Sequence, residues 1–137
     1  MSSPLADQAY CSTLIALAAA DDHGITPAER TTIDRISVEL GIPEQSRAAA
    51  WAASPGSAEV LAALEHITDG SRRRTLLKDM VLLAYADGEF SAQERAFVET
   101  VRERLGLEPV FLARVVDWVN RGAAWLQEGV ELCEPRN

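Results

Sequence analysis

Apolar residues recur along the chain at the three- and four-residue spacing of amphipathic helices, and no segment shows the sustained apolar/polar alternation of a strand. Proline, glycine, serine and threonine fall between the periodic segments. The pattern predicts helices near residues 5–21, 27–40, 43–53, 57–67, 71–87, 92–105 and 109–132, the last bent at Gly122. We therefore expect an all-α fold, a single bundle of about seven helices.

Two segments of the chain match each other at a constant shift. The shift pairs Asp22 with Asp87 and Glu29 with Glu94, an offset of 65 residues. Each copy, at about 9–42 and 74–107, consists of a helix, a short acidic loop, a second helix and a glycine. Because two copies are too few for a solenoid, we predict one domain over residues 1–137 with an internal pseudo-twofold repeat.

The repeated loop has the sequence signature of a helix N-terminus. Thr26 and Ser91 each precede an apolar-periodic segment, with Glu29 and Glu94 three residues later. In such a capping box the hydroxyl accepts from the third helical amide, and the glutamate accepts from the amide of the cap residue. The loops are therefore predicted to start helices.

The acidic residues of these loops allow a second role. The candidate cation ligands are Asp22, Glu29, Asp87, Glu89 and Glu94. A hard cation such as calcium binds several oxygens. Glu29 lies only seven positions after Asp22, so this loop is shorter than the twelve-residue EF-hand loop and supplies fewer oxygen ligands. Two hypotheses stay open: loops that only cap helices, and loops that also bind a divalent cation. No other cofactor is predicted.

Between Ala9 and Trp118 the chain resembles the TerB-like tellurite-resistance family, most specifically over residues 84–94, Ala-Tyr-Ala-Asp-Gly-Glu-Phe-Ser-Ala-Gln-Glu. The first copy departs from this pattern, since His23 stands where Gly88 stands in the second. The resemblance implies an all-helical bundle of about seven helices in a cytoplasmic bacterial protein linked to tellurite, phage or stress phenotypes. It also implies no established catalytic activity, and acidic residues that are candidate metal ligands.

Composition narrows the classes of function. Thirteen basic and 21 acidic side chains give a net charge of −8, which opposes nucleic-acid binding. Two histidines and two cysteines form no zinc or catalytic motif, so we predict that the protein is not an enzyme. The longest uncharged run, residues 8–20, is too short to span a bilayer, and the first residues lack a signal peptide's positive charge. We expect a cytoplasmic protein.

Arg72, Arg73 and Arg74 form a basic triplet that the first copy lacks. Ser71 before them is a candidate N-cap, which would put three cations at the positive end of a helix dipole. One interpretation is a solvated surface. The other is a docking patch for an acidic protein partner or for anionic lipid headgroups, which would make the protein peripheral to a membrane.

The last helix carries two adjacent apolar stripes, where a surface helix needs one. The first stripe is Leu112, Val116, Val119, Ala123, Leu126 and Val130, and the second is Phe111, Val115, Trp118, Gly122, Trp125 and Gly129. The favoured hypothesis places this helix at the bundle centre, buried on both stripes. In the alternative, Trp118 and Trp125 are exposed and bind a protein partner of a stress-response assembly or a second copy.

Overall fold

The computed structural model describes residues 3–20, 24–53, 56–86 and 90–134. These residues form seven α-helices and one 3-10 turn, and no strand. The helices are α1 (Pro4–Ala18), α2 (Pro27–Glu39), α3 (Glu44–Ala53), α4 (Ser57–Ala63), α5 (Gly70–Ala84), α6 (Ala92–Leu105) and α7 (Pro109–Cys133), with the 3-10 turn at Leu64–His66. The predicted all-α fold class is confirmed.

Three helix ends differ from the sequence prediction by more than one residue. α1 ends at Ala18 and α5 at Ala84, each three residues early. In both, an amide two residues beyond the helix donates to a carbonyl three residues back at 3.1 Å, which tightens the final turn. The predicted helix 57–67 is α4 followed by the 3-10 turn, whose three-residue repeat puts Leu64 and Ile67 on one side, both buried.

The second helix of each copy begins and ends alike. Both capping boxes form, at Thr26 before α2 and at Ser91 before α6. Gly41 and Gly106 follow these helices with φ of +76° and +72°, a left-handed conformation that only glycine adopts without strain. The amide after each glycine then donates to the carbonyl five residues back, at 3.0 and 3.1 Å. The sequence repeat is therefore a repeat of local structure.

The centre of the bundle is α1 with α5 beside it. Ten of the fifteen residues of α1 are buried, including Ser12 and Thr13. The Thr13 hydroxyl donates to the carbonyl of Ala9 at 2.7 Å, so burial leaves it satisfied. Tyr10 donates to Asp79 of α5 at 2.5 Å and so joins the two central helices. Among the described residues, no helix has both the length and the apolarity to cross a bilayer.

The favoured prediction for the last helix was wrong. α7 packs on α5 at the edge of the bundle, and its buried residues are Val115 and Val119 alone. α1 takes the central place because its interior lies in the uncharged run 8–20, whereas α7 carries charged residues along most of its length, from Arg114 to Glu131. Charged side chains are rarely buried without a partner, so a helix with that distribution stays at the surface.

Candidate interaction surface

The carboxyl-terminal half of α7, residues 121–133, has no other helix packed over it and is called the outer half below. α7 is one continuous helix through Gly122, about 37 Å long at 1.5 Å per residue. Every residue from 120 to 134 is exposed. The large apolar side chains of the outer half are Trp125, Leu126, Val130 and Leu132, with Trp125 72% exposed.

These side chains continue the stripe by which α7 packs on the bundle. Val115 and Val119 are buried, and Leu126 and Val130 follow them at the spacing of one helix face. The same face thus changes from covered to uncovered along a single helix. The outer half is uncovered because α5 is shorter than α7: α5 ends at Ala84, alongside the middle of α7.

A groove runs between α5 and α7, called the α5–α7 groove below. Its first part is lined by Ser71, Arg74, Thr75, Lys78, Phe111, Arg114, Val115 and Trp118. Its second part passes Leu82 and Tyr85 and reaches Trp125 and Leu126. Trp118 lines both parts and is 49% exposed. Apolar walls of this kind bind the apolar side of another segment.

Charge is unevenly distributed along this surface. Arg74, Lys78 and Arg114 surround the first part of the groove. Lys78 Nζ lies 3.2 Å from Asp79 Oδ1, whereas Arg74 and Arg114 have no carboxylate within 4.0 Å among the described residues. The outer half instead carries Glu128 and Glu131, with Glu134 just beyond it; its one cation, Arg121, has its Nε 2.9 Å from Asp117 Oδ2. A basic groove and an acidic helix end therefore lie on one surface.

The arginine triplet divides between the fold and the groove. Successive helical residues point about 100° apart, so the three side chains cannot form one patch. The Arg72 guanidinium lies 5.6 Å from the centre of the Tyr10 ring. Arg73 donates through Nε to Ile67 O at 2.6 Å and through a terminal nitrogen to Leu105 O at 3.2 Å. Arg74 is exposed and reaches the groove.

The predicted cap before this triplet was also wrong. Asp69, not Ser71, is the N-cap of α5, and its carboxylate accepts from the Arg72 amide at 2.9 Å. Serine and aspartate both cap well, but only one residue can precede the first turn. The negative Asp69 at the N-terminus interacts favourably with the helix dipole.

The glutamates of the two acidic loops are buried cap residues. Glu29 accepts from the Thr26 amide at 2.9 Å, and the Glu29 amide donates to the Thr26 hydroxyl at 3.1 Å. Glu94 and Ser91 make the same two bonds at the same distances. Both glutamates are 2% exposed. Capping by these loops is therefore confirmed in both copies.

The other candidate cation ligands, Asp22, Asp87 and Glu89, lie outside the described residues, as does His23. Within the described residues, no three acidic, histidine or cysteine side chains come together in a way that could hold a metal ion. Cation binding by the loops therefore stays a prediction.

Two buried ionisable groups with raised pKa values, Tyr10 and Cys11, lie at contacts between helices. Burial raises the pKa of Tyr10 far above its ordinary value, and the adjacent Asp79 carboxylate raises it further. Burial also raises the pKa of the Cys11 thiol, which lies 3.3 Å from the Ser37 hydroxyl. Both groups stay protonated at neutral pH and are buried, so neither is available as a nucleophile or base.

Sequence reasoning identified Trp118, Trp125 and Arg74 but missed Lys78, Arg114 and Leu82 of the groove. Arg74 and Lys78 are four residues apart, which places them on one face of α5. That spacing was a usable signal. The sequence gives no signal that Arg114 lies near Arg74 and Lys78, because that proximity depends on how α7 packs against α5.

This seven-helix architecture resembles a solved structure closely enough to define the class of fold. A crystal structure of a tellurite resistance protein from Nostoc punctiforme matches with a TM-score of 0.65 and 20% sequence identity. The match covers 96% of this chain and 81% of that one. No curated protein sequence matches the chain significantly.

The family follows from a second comparison. The family model described as tellurite resistance protein TerB matches residues 48–116, half of the chain. This protein belongs to that family. The matched segment contains the second acidic loop and not the first, in agreement with the departure at His23, and it ends before Trp118 and the outer half of α7.

Proposed function

We propose that this protein is a non-enzymatic interaction module of the tellurite-resistance family and that it binds through the outer half of α7. The uncovered apolar face carries the proposal, above all Trp125 at 72% exposure. Monomeric soluble proteins rarely expose contiguous apolar patches of more than a few hundred Å². Tryptophan is also enriched among the residues that dominate binding energy.

The remaining chemistry of the described residues supports binding in preference to catalysis. Tyr10 and Asp79 join α1 to α5, and Glu29 and Glu94 cap helices, so these three buried acids have structural roles. The α5–α7 groove offers arginine, lysine, apolar side chains and two hydroxyls, Ser71 and Thr75, of which Thr75 donates to the Ser71 carbonyl. Such groups bind acidic, apolar segments but include no nucleophile paired with a base.

A protein partner fits this surface better than nucleic acid does. The net charge of −8 repels a phosphate backbone, and the same charge opposes an anionic membrane. We place the protein in the cytoplasm, in a stress-response assembly, on the strength of its family. The Nostoc protein of the same fold is named for tellurite resistance, which makes tellurite the first stress to test.

Two valines of equal exposure provide a matched test. Val130 in the outer half is 56% exposed, and Val38 on α2 is 58% exposed. Tagged wild type, Val130→Asp and Val38→Asp would be used to capture proteins from the host lysate and to restore growth on tellurite in a deletion strain. We expect Val130→Asp to lose capture and growth and Val38→Asp to keep both. Equal behaviour of the two variants would contradict the proposal.

The second candidate function is a divalent-cation sensor that uses the acidic loops. Its support is the acidic character of both loops, each of which ends at a glutamate carboxylate, Glu29 or Glu94, where the loop enters its helix. The test is calorimetric titration of metal-stripped protein with calcium. We expect Asp87→Asn to weaken binding more than Asp22→Asn does, because the second loop carries the family pattern. Absence of heat in the wild type would remove this candidate.

A further inference from the structure

We propose that the partner of the outer half is a second copy of this chain, in a symmetric antiparallel dimer. Each outer half would lie in the first part of the α5–α7 groove of the other copy. The inference rests on the proposed function, since it names the partner for the same surface. Three features of the surface lead to it: charge, apolar matching and symmetry.

The charges of the surface are complementary to each other. The groove carries Arg74 and Arg114, which have no carboxylate within 4.0 Å among the described residues. The outer half carries Glu128, which lies three residues after Trp125 and four before Leu132 and so borders its apolar face. On a chain of net charge −8, a basic groove selects an acidic partner, and an acidic apolar helix is present on every copy.

The apolar surfaces also match in kind. The groove has Phe111, Val115 and Trp118 in its walls. The outer half offers Trp125 and Leu126, both more than 60% exposed. An amphipathic helix in an apolar groove is a common mode of recognition.

Symmetry determines the register. In a twofold antiparallel pair, residues that face each other are equally far from the axis along the helix. Arg114 and Glu128, which lie on the same side of α7, are centred at residue 121, and Trp118 and Trp125 between 121 and 122. Charge pairing and tryptophan packing thus both place the axis beside Gly122. An added Cβ at Gly122 would have no heavy atom within 4 Å, so the backbone there is open to close approach.

The exposed apolar side chains of this surface supply part of the area that a stable dimer buries. Standard interfaces bury about 800 Å² on each partner. A fully buried tryptophan covers about 150–250 Å²; Trp118 is 49% exposed and Trp125 72%, so each can add only its exposed part, together with Leu126, Val130 and Leu132. Because every contact occurs twice, a modest surface on one chain forms a complete interface.

Cysteine cross-linking tests the register directly. In the antiparallel pair the two Cys133 residues lie about 33 Å apart at 1.5 Å per residue, too far for a disulfide. Two thiols at position 122 would be close. Cys11 is buried, so Cys133→Ser/Gly122→Cys leaves one exposed thiol among the described residues. We expect this variant, and not the wild type, to form a covalent dimer under mild oxidation. A wild-type dimer linked through Cys133 would overturn the antiparallel arrangement.

Sedimentation with charge reversal tests the pairing. We expect the wild type to sediment as a dimer and Glu128→Lys/Glu131→Lys to weaken association about tenfold, since the variant brings a basic helix end to the basic groove of the other copy. Adding Arg74→Glu/Arg114→Glu should restore it. The control Glu44→Lys/Glu59→Lys makes the same change in charge at exposed sites on α3 and α4 and should leave the dimer intact. Absence of restoration would contradict the proposed pairing.

The two proposals fail in different ways. A wild type that stays monomeric at all concentrations overturns the second copy as partner. If Val130→Asp still loses lysate capture and growth on tellurite in that case, the surface binds another protein and the proposed function stands. If the wild type is a dimer but Val130→Asp keeps full growth, dimerisation is real and the proposed function falls.

Discussion

Trp51 on α3 and Trp125 on α7 show how differently two parts of this molecule treat the same side chain. The Trp51 indole donates to Asp34 at 3.1 Å, and the Arg30 guanidinium lies 4.3 Å from its ring centre. Trp125 is 72% exposed and has no hydrogen-bond partner among the described residues. The Trp51 side chain, in the bundle of α1–α6, has its contacts within the chain. The Trp125 side chain, in the outer half of α7, is left largely exposed to solvent. That contrast is the basis for the proposal that the first region provides stability and the second binds a partner.

The largest loss of stability is expected from a substitution at the centre of the bundle. Leu77 of α5 is fully buried, and Leu77→Ala should cost about 2–5 kcal/mol of unfolding free energy through lost burial and a residual cavity. Denaturant unfolding measures the loss. Leu132→Ala, at a position 79% exposed, is the matched control and should change the monomer by less than about 0.5 kcal/mol. Equal losses would remove the distinction between the two regions.

The link between α1 and α5 gives the next effect. Tyr10→Phe should cost about 1–3 kcal/mol, because the buried Asp79 carboxylate loses its hydrogen-bond donor. Thermal and denaturant unfolding at neutral pH would measure it. Tyr85→Phe removes a hydroxyl from a half-buried ring and should cost less. A larger loss for Tyr85→Phe would show that the buried pair is not the important contact.

The same tyrosine should make stability depend on alkaline pH. The pKa of Tyr10 is raised by burial and by Asp79, so above pH 10 the unfolded chain releases a proton that the folded chain retains. Stability is therefore complete below about pH 10 and falls above it, by up to about 1.4 kcal/mol per pH unit for one proton. Comparing unfolding of the wild type and Tyr10→Phe between pH 9 and 11 checks this. An equal slope in both would assign the effect to other groups.

The capping glutamates give a smaller effect. Glu29→Ala and Glu94→Ala should each cost about 0.5–2 kcal/mol, the range for a lost cap. Thermal melts with chelator and with excess calcium separate the two roles of these loops. If capping is the whole role, the cost is the same in both conditions. A cost that grows with calcium would favour the cation-sensor hypothesis.

The smallest effect on folding is expected where the effect on binding is largest. Trp125→Ala should change the unfolding free energy of the monomer by less than about 0.5 kcal/mol, since the side chain is mostly exposed and buries little apolar area. Trp51→Ala is the matched control and should be clearly destabilising. Unfolding experiments on dilute protein measure the stability of the monomer, and sedimentation at high concentration measures association. A Trp125→Ala monomer that unfolds easily would mean that the outer half stabilises the bundle.

Local features were predictable because their causes lie within a few residues. The capping boxes at Thr26 and Ser91, the glycines at 41 and 106, and the period of the helices depend on short-range hydrogen bonds and spacing. The cap of α5 was assigned to Ser71 instead of Asp69, because either residue satisfies the local rule. The position of α7 was predicted wrongly for a different reason: apolar content was weighed without the charges spread along the helix.

Sequence alone determined the helices, the repeat and the family, since periodicity, capping residues and the motif around residues 84–94 are local properties of the chain. Tertiary structure alone decided which helix is central and which apolar surface stays uncovered. α1 and α7 are both rich in apolar residues, and only the packed arrangement shows that α5 is too short to cover the outer half. Likewise, the packing of α7 on α5 brings Arg114 to Arg74 and Lys78 and makes three separate cations one basic groove.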